Sequence, residues 1–421
     1  MMKAENVIDY VNEYQYSFRE RPFSEVDSLV LSQIVYFKMK GLIPTLERQE
    51  DFVPFSVLME EKNHKKLFRD KRYRKDNMAL AFAVLGSRRY QNLALNYHID
   101  ILDKVMEIQF SAITFRLEDD LYYVAYRGTD ENLVGWKEDL FLAFSEPGLG
   151  QLYSAKYLEK AAVRIPCDFY VGGHSKGGNL ATFSVMCASP SLQNRIKAVF
   201  SHDGPGMKQE VQDRYHYDAI ADKVQKTIPK ASLVGMLMEN SDRCQIVASN
   251  RFGLGQHNPY MWKIRDGQFV SEEKLTGNAL LLKSVLNDWI SSLEDEQIHL
   301  FADLLFQVLE ASESDNLIDF AADWKKSLAG IYQALKELEP DRWEEVDALI
   351  KSFLEAMRES TRTNLPLIVE EEIADWQNKI RQDKSGSGFA PRKKKIRRQK
   401  NKKTKKKLSL KRQLLAAEEG T

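Results

Sequence analysis

The chain has 421 residues, 43% of them hydrophobic and 29% charged, which is enough for one large domain with an appendage. No run approaches the roughly 18 apolar residues of a membrane span, and no apolar segment follows a basic start, which predicts a cytoplasmic protein without a transmembrane segment. The three cysteines are scattered without metal-binding spacing and their number is odd, which argues against a disulfide framework; we expect neither a metal nor a cofactor.

The net charge of zero conceals an uneven distribution of charge. Residues 392–412 contain 14 lysines and arginines and no acid, so the remaining residues carry a net charge of −14. A run this basic, beyond the Gly/Ser linker at 385–388, predicts a disordered tail. Its partner would be polyanionic, either an anionic membrane surface, which would make the protein peripheral there, or nucleic acid; the alternative is a tail that is merely solvated.

Helical patterns dominate the first 85 residues. Ser24 and Asp27 precede an apolar face and predict a capped helix within residues 6–42. Residues 46–77 are highly charged and predict a solvated helical excursion, after which an apolar helical pattern returns at 78–85.

A change to alternating apolar residues predicts a β-hairpin at 108–126. The hairpin runs into Arg127-Gly128-Thr129-Asp130, and the block Trp136-x-x-Asp139-Leu140 follows. A further helix is predicted at about 154–163.

The stretch 169–181 passes from a buried-strand pattern through a small-residue turn into an apolar helical pattern. The turn has the Gly-x-Ser-x-Gly spacing of a nucleophile elbow, in which a strained serine, here Ser175, projects its Oγ above the sheet. We expect Gly173 and Gly177 there because strand and helix would pass too closely for a Cβ. The alternative is a Gly-rich turn that cradles a phosphate, but the turn has neither Gly-x-Gly-x-x-Gly nor Gly-Lys-Ser/Thr.

Strand and helix patterns continue to alternate after the elbow. We predict a buried strand at 196–200 ending near Asp203, a polar helical stretch at 208–226, and strands at 231–238 and 244–249. The last of these leads into a glycine-bearing loop with His257. Alternation of this kind predicts an α/β domain with a mainly parallel central sheet.

Beyond about residue 272 the apolar positions repeat only at helical spacing. The predicted organisation is therefore an α/β domain with an N-terminal helical segment at 1–272, a helical subdomain at 273–382 and a disordered basic tail at 383–421.

Hydrolysis by a serine requires a base for its hydroxyl, a carboxylate that holds the base, and hydrogen-bond donors for the oxyanion. In folds with this elbow the chain order is serine, acid, histidine. Among the late histidines, His257 is the one in a glycine-bearing loop after a candidate final strand, and it is our candidate base.

The Arg127-Gly128-Thr129 segment, the Trp136 to Leu140 block, the Ser175 elbow and the late His257 together resemble the fungal-type (class 3) triacylglycerol lipases, which have the α/β-hydrolase fold. Further motifs resemble an uncharacterised bacterial branch of that group: Phe23-x-x-Val26-Asp27, Asp203-Gly204-Pro205-Gly206 and Gln256-His257-x-Pro259-x-x-Trp262. The likeness covers about residues 6–268.

The resemblance implies that Ser175 is the nucleophile and His257 the base. It also implies an oxyanion hole formed by the backbone N–H of Lys176 together with the N–H and hydroxyl of Thr129. Without that role, the segment at 127–130 would simply be a strand-terminating turn whose Thr129 or Asp130 caps the next helix.

The sequence departs from this group at the acid, because Ser232-Leu233-Val234-Gly235 stands where an Asp-x-Val-Pro-like segment is expected. Asp203 is the best replacement, since it ends the strand after the elbow, and pancreatic-type lipases are similar there. Glu239 and Asp242 are the rival carboxylates. Asp203 could otherwise be a turn aspartate that bonds its own backbone.

These features predict a serine ester hydrolase of lipase or carboxylesterase type that acts on an acyl-ester or lipid substrate. The alternative is a catalytically weak or inactive hydrolase-fold protein that acts as a scaffold or binding module through its helical extension and basic tail. A nucleic-acid-binding protein is a third hypothesis that rests on the tail alone.

Overall fold

The computed structural model describes residues 6–48, 50–70, 73–103, 106, 108–129, 147–230, 232, 234–238, 244–251, 253–273 and 275, with a few positions between 287 and 355. The helices are α1 Val7–Glu13, α2 Glu25–Ile34, α3 Phe55–Leu58, α4 Glu61–Leu67, α5 Arg74–Gly86, α6 Leu149–Ala162, α7 Lys176–Met186, α8 Pro190–Arg195 and α9 Gln209–Arg214. The strands are β1 Val53–Pro54, β2 Ala94–Asp103, β3 Ile108–Glu118, β4 Leu121–Tyr126, β5 Phe169–His174, β6 Ile196–His202, β7 Val224–Pro229, β8 Cys244–Val247, β9 Ile264–Arg265 and β10 Gln268–Phe269.

Strands β1 to β8 form one sheet in sequence order. The pairs from β1 to β4 are antiparallel, and those from β4 to β8 are parallel. The predicted hairpin is β3 and β4, in which Ile113 lies opposite Ala125. The mostly parallel sheet and the strand, turn and helix at Ser175 confirm the predicted α/β-hydrolase fold.

Both faces of the sheet are covered by helices, and each face has its own apolar core. Along β4, Tyr123 and Ala125 belong to the core shared with α1, α2 and α5, whereas Val124 and Tyr126 belong to the core shared with α6 and α7. Every residue of β4 is buried, as expected for a strand in the middle of such a layered domain.

The prediction of a helical stretch at 208–226 was partly correct, and that of a strand at 231–238 was wrong. Helix α9 is short, β7 begins at Val224 inside the stretch predicted as helical, and the segment predicted as a strand at 231–238 contains instead a 3₁₀ turn, Val234–Met236. The polar residues of β7 concealed it, since pairing with β6 and β8 on both sides outweighs its weak apolar pattern.

The stretch at 46–77 is partly helical, as predicted, but it is not simply solvated, because α3, α4 and the residue after α4 bury Phe55, Leu58, Leu67 and Phe68 in the core. Strand β2 was overlooked, although its apolar and polar residues alternate. The capped helix was correct: Ser24 and Asp27 form a reciprocal capping box at the start of α2.

Several predictions lie outside the described residues. These are the Trp136 to Leu140 block, Asp130, the carboxylates Glu239 and Asp242, most of the helical subdomain 273–382 and the whole tail 383–421. Within the part of the chain that the structure describes, no helix has the length and apolar character needed to cross a bilayer.

A buried ion pair fixes the N-terminal segment to the domain. Arg89 and Asp27 are both fully shielded from solvent, and their side chains meet at 2.6 and 2.7 Å. The remaining guanidinium N–H groups donate to the backbone oxygens of residues 16, 21 and 22. The phenols of Tyr10 and Tyr90 donate to Asp27, and burial and then the Asp27 charge raise the pKa of both tyrosines above the ordinary value.

Replacing Arg89 with methionine should lower the free energy of unfolding by about 3–5 kcal/mol, because the Asp27 carboxylate would be left buried and unpaired. The matched control is Arg88→Met at the neighbouring position, where the side chain meets Glu20 in solvent. Urea unfolding followed by circular dichroism measures both. Equal effects of the two substitutions would contradict this account of Arg89.

Because two histidines are buried, we expect the free energy of unfolding to fall in acid. Burial lowers the pKa of His202 to about 3 and that of His98 to about 4. The unfolded chain titrates these groups at about 6.5, so unfolding takes up protons below that pH. Stability should therefore fall as the pH drops from about 6.5, by up to about 1.4 kcal/mol per pH unit for each histidine.

The test is urea unfolding of wild type and His202→Gln at several pH values between about 7 and 4. Glutamine can still bond to the Ser28 hydroxyl that lies 2.9 Å from His202 Nε2, but it cannot take up the proton. The free energy of unfolding of the variant should therefore fall less steeply with decreasing pH, by the equivalent of up to one proton taken up on unfolding. The same slope in both proteins would rule out His202 as a source of acid sensitivity.

Candidate active site

Ser175 stands in the turn between β5 and α7 with φ 60° and ψ −134°, a conformation that non-glycine residues rarely adopt. Its backbone N–H donates to the backbone oxygen of His202 at 2.9 Å, and its backbone oxygen accepts from the N–H of Gly178 at 2.9 Å. The neighbouring backbone therefore holds the strained turn on both sides, as the elbow motif predicts.

The two glycines on either side of Ser175 leave no room for a Cβ, as predicted. A Cβ on Gly173 would lie 2.6 Å from the backbone oxygen of Tyr126, at the end of β4, and a Cβ on Gly177 would lie closer still to the same oxygen. Helix α7 therefore crosses β4 and β5 so closely that only glycine fits at these two positions.

The parallel pairing brings three predicted site residues to one edge of the sheet. Tyr126 pairs with Gly173, and His174 pairs with His202, so β4, β5 and β6 end side by side. Thr129, Ser175 and Asp203 follow these three strands. Ligands of open α/β sheets bind at this edge, outside the carboxyl ends of the strands.

His257 completes a continuous chain of contacts. It ends the 3₁₀ segment Gly253–His257, its Nε2 lies 3.0 Å from Ser175 Oγ, and its Nδ1 lies 2.6 Å from Asp203 Oδ2. Since a carboxylate only accepts, Nδ1 is the protonated nitrogen and Nε2 can accept from the serine hydroxyl. All three side chains are buried, Asp203 completely.

Asp203 is held from two sides. Its backbone has a φ of 51°, and its N–H donates to the oxygen of Thr227 in β7. Oδ1, the oxygen turned away from His257, accepts from the N–H of Gly235 at 3.1 Å. A Cβ on Gly235 would collide with that oxygen, so this glycine is a site residue that the sequence analysis missed by assigning it to a strand.

His174, the variable residue of the elbow motif, was also missed. Its Nε2 lies 3.1 Å from the backbone oxygen of His257 and must be the donor, and the two imidazole rings are 4.7 Å apart. The Tyr36 hydroxyl lies 3.5 Å from His174 Nδ1 and 3.4 Å from its backbone oxygen. His174 and Tyr36 therefore brace the loop that carries His257, and no sequence motif marks Tyr36.

Lys176 and Thr129, the two residues implied for an oxyanion hole, both lie beside Ser175. The N–H of Lys176 is in the first turn of α7, while its buried ammonium donates to the oxygen of Gln109 at 3.1 Å and so points away from the serine. Thr129 lines the same cleft as Ser175. A Cβ on Gly128 would come within 3.1 Å of the Ser175 Cβ, so this loop runs against the elbow.

A narrow cleft that opens to solvent lies over Ser175. The described residues in its wall all have a polar group in the side chain: Gln33, Tyr36, Asp70, Tyr73, Asn77, Thr129, His174, Ser175 and His257. Across the residues that the structure describes, no three His, Cys, Asp or Glu side chains are grouped so that they could hold a metal ion. The contacts of Ser175, His257 and Asp203 suit acid–base and nucleophilic chemistry.

Comparison with known proteins adds a family assignment. The model of the Mbeg1-like family matches residues 84–307, just over half of the chain. No curated protein matches the chain. Among solved structures, M37 lipase is 12% identical with a TM-score of 0.33, covering 67% of this chain and 95% of that one. A Rhizomucor miehei lipase propeptide complex is 12% identical with a TM-score of 0.31, covering 50% and 68%.

Gly177→Ala should destabilise the domain by about 3 kcal/mol or more, because the new methyl group meets rigid backbone at Tyr126. Gly86→Ala is the matched control: a Cβ there meets nothing within 4 Å, so it should be neutral or stabilise by about 0.4–1 kcal/mol. Urea unfolding measures both. A Gly177→Ala variant as stable as wild type would show that the close crossing of α7 does not constrain the elbow.

Proposed function

The chain belongs to the Mbeg1-like family, and we propose that it is a serine hydrolase of lipase or carboxylesterase type, acting on acyl-ester substrates. The observation that carries the proposal is the chain of contacts from Ser175 Oγ through His257 to Asp203, at 3.0 and 2.6 Å. A serine in a strained turn, bonded to an imidazole that is bonded in turn to a buried carboxylate, is an arrangement suited to acyl transfer.

In the proposed reaction Ser175 Oγ attacks the ester carbonyl carbon while His257 Nε2 takes the hydroxyl proton. The carbonyl oxygen becomes an oxyanion, which the N–H groups of Lys176 and Thr129 and the Thr129 hydroxyl would stabilise. When the tetrahedral intermediate collapses, the C–O bond to the alcohol breaks and the imidazolium returns its proton to the departing oxygen. Water then attacks the acyl group on Ser175 by the same route and releases the carboxylic acid.

Asp203 would act through His257. Its charge stabilises the imidazolium formed in each step, and its hydrogen bond to Nδ1 keeps Nε2 directed at the serine. The bond from Gly235 N–H to Oδ1 leaves Oδ2 directed at the imidazole. His174 would be a positioning residue, because it bonds to the backbone of His257 and not to its ring nitrogens.

Ser175→Ala should abolish both labelling by a fluorophosphonate probe and hydrolysis of short-chain p-nitrophenyl esters, because the attacking oxygen is removed. Ser191→Ala, at an exposed serine 16 residues after Ser175, is the control and should behave as wild type. Equal labelling of wild type and Ser175→Ala would refute the assignment of the nucleophile. Absence of labelling in a folded wild-type protein would favour the alternative, an inactive scaffold.

Asp203→Asn should lower turnover by roughly 10⁴-fold, because an amide partner favours the wrong imidazole tautomer. Asp218→Asn, at an exposed aspartate, is the control. Steady-state kinetics with a p-nitrophenyl ester, together with a circular dichroism spectrum of each variant, decides the matter. If Asp203→Asn stays near wild type while Glu239→Gln or Asp242→Asn loses turnover, one of those carboxylates is the acid.

A further inference from the structure

We propose that the hydroxyl of Tyr36 is a further catalytic group of this site, which donates a hydrogen bond to the oxyanion that forms on the acyl carbon bonded to Ser175. The inference rests on the proposed hydrolase function and deepens it, because it adds a side-chain donor to the oxyanion hole of Lys176 and Thr129. Tyr36 would thus touch the reacting atoms themselves.

The end of α2 fixes the backbone of Tyr36. Its N–H donates to the backbone oxygen of Gln33 at 3.1 Å, and the residues on either side of it are each 1% exposed. Tyr36 itself is half-buried and belongs to the wall of the cleft that contains Ser175 and His257. The backbone is therefore anchored in the core while the side chain borders the cleft.

Gly128 shows how near the hydroxyl lies to the nucleophile. A Cβ added to this glycine would lie less than 3.0 Å from the Tyr36 hydroxyl and 3.1 Å from Ser175 Cβ, so the hydroxyl and Ser175 Cβ are less than 6.1 Å apart. The oxyanion of a tetrahedral adduct is three bonds beyond the serine Cβ, and a donor that stabilises it lies about 2.7–3.1 Å from it. The Tyr36 hydroxyl is close enough for this role.

Two contacts that hold the hydroxyl are long. It donates to the backbone oxygen of His174 at 3.4 Å and lies 3.5 Å from His174 Nδ1. Hydroxyl donors ordinarily lie about 2.5–3.0 Å from their acceptors, so these contacts are weak. An oxyanion would offer a charge-assisted bond of about 2.5–2.7 Å that is roughly twice as strong as a neutral one.

The exchange of a weak bond for a strong one would occur only when negative charge develops on the substrate. An interaction that is stronger in the transition state than in the bound ester lowers the barrier without tightening substrate binding. Loss of the Tyr36 hydroxyl should therefore reduce kcat and leave KM nearly unchanged.

The alternative is that the hydroxyl acts through His174, which bonds to the backbone of His257. In that case its loss would disturb the imidazole that takes the serine proton. The apparent pKa of this imidazole can be read from the pH dependence of kcat/KM. A direct donor to the oxyanion should leave that pKa where it is in the wild-type protein.

The test variant is Tyr36→Phe, which keeps the ring and removes the hydroxyl. With p-nitrophenyl butyrate, kcat should fall by roughly 10²-fold. The inhibition constant of 1,1,1-trifluoroheptan-2-one, a ketone whose adduct with Ser175 is a hemiketal oxyanion, should rise by a similar factor. Tyr16→Phe, at a tyrosine that is 43% exposed, is the matched control and should change neither constant.

A kcat or an inhibition constant equal to that of wild type would overturn the inference. A shifted apparent pKa would overturn it in favour of the route through His174, and a clear drop in melting temperature would show that the hydroxyl supports the fold instead. Fluorophosphonate labelling of the wild-type protein is run in parallel. Labelling together with an unchanged kcat in Tyr36→Phe refutes only the role of Tyr36, whereas absence of labelling in the folded wild type refutes the proposed function itself.

Discussion

The distance between α7 and the strands beneath it is the constraint on which the site depends. Because Gly173 and Gly177 have no side chains, the helix starts directly against the end of β4, and the turn that precedes it must be tight. That turn gives Ser175 its positive φ and aims its Oγ towards the loop of His257. A wider crossing would relax the turn and withdraw the serine from its partner.

Residues far apart in sequence support this site. The buried pair of Asp27 and Arg89 fixes the N-terminal segment on the sheet, and this segment supplies Gln33 and Tyr36 to the cleft. On the other side, β7 holds the backbone of Asp203 through Thr227, and the loop after β7 holds its carboxylate through Gly235. The cleft is therefore a product of the whole sheet and of the helices packed on it.

Local patterns allowed the sequence to predict the elbow, the hairpin, the α2 cap and the proximity of Ser175, His257 and Asp203. Features set by tertiary pairing could not be found in this way. Strand β7 is polar and forms because β6 and β8 flank it. Gln33 in α2 and Tyr36 just after it belong to a segment whose pattern is typical of a buried core helix, and only the packing of that segment on the sheet places them in the wall of the cleft.

The separation of Ser175 from His257 along the chain has a consequence for biosynthesis. His257 comes 82 residues after Ser175, and Asp203 meets it only when the loop after β8 folds back over the sheet edge. A ribosome that has released the elbow has therefore not yet released its base. Under the proposed mechanism Ser175 would lack its proton acceptor until the chain beyond β8 has emerged, so the nascent polypeptide could not attack acyl groups before that point.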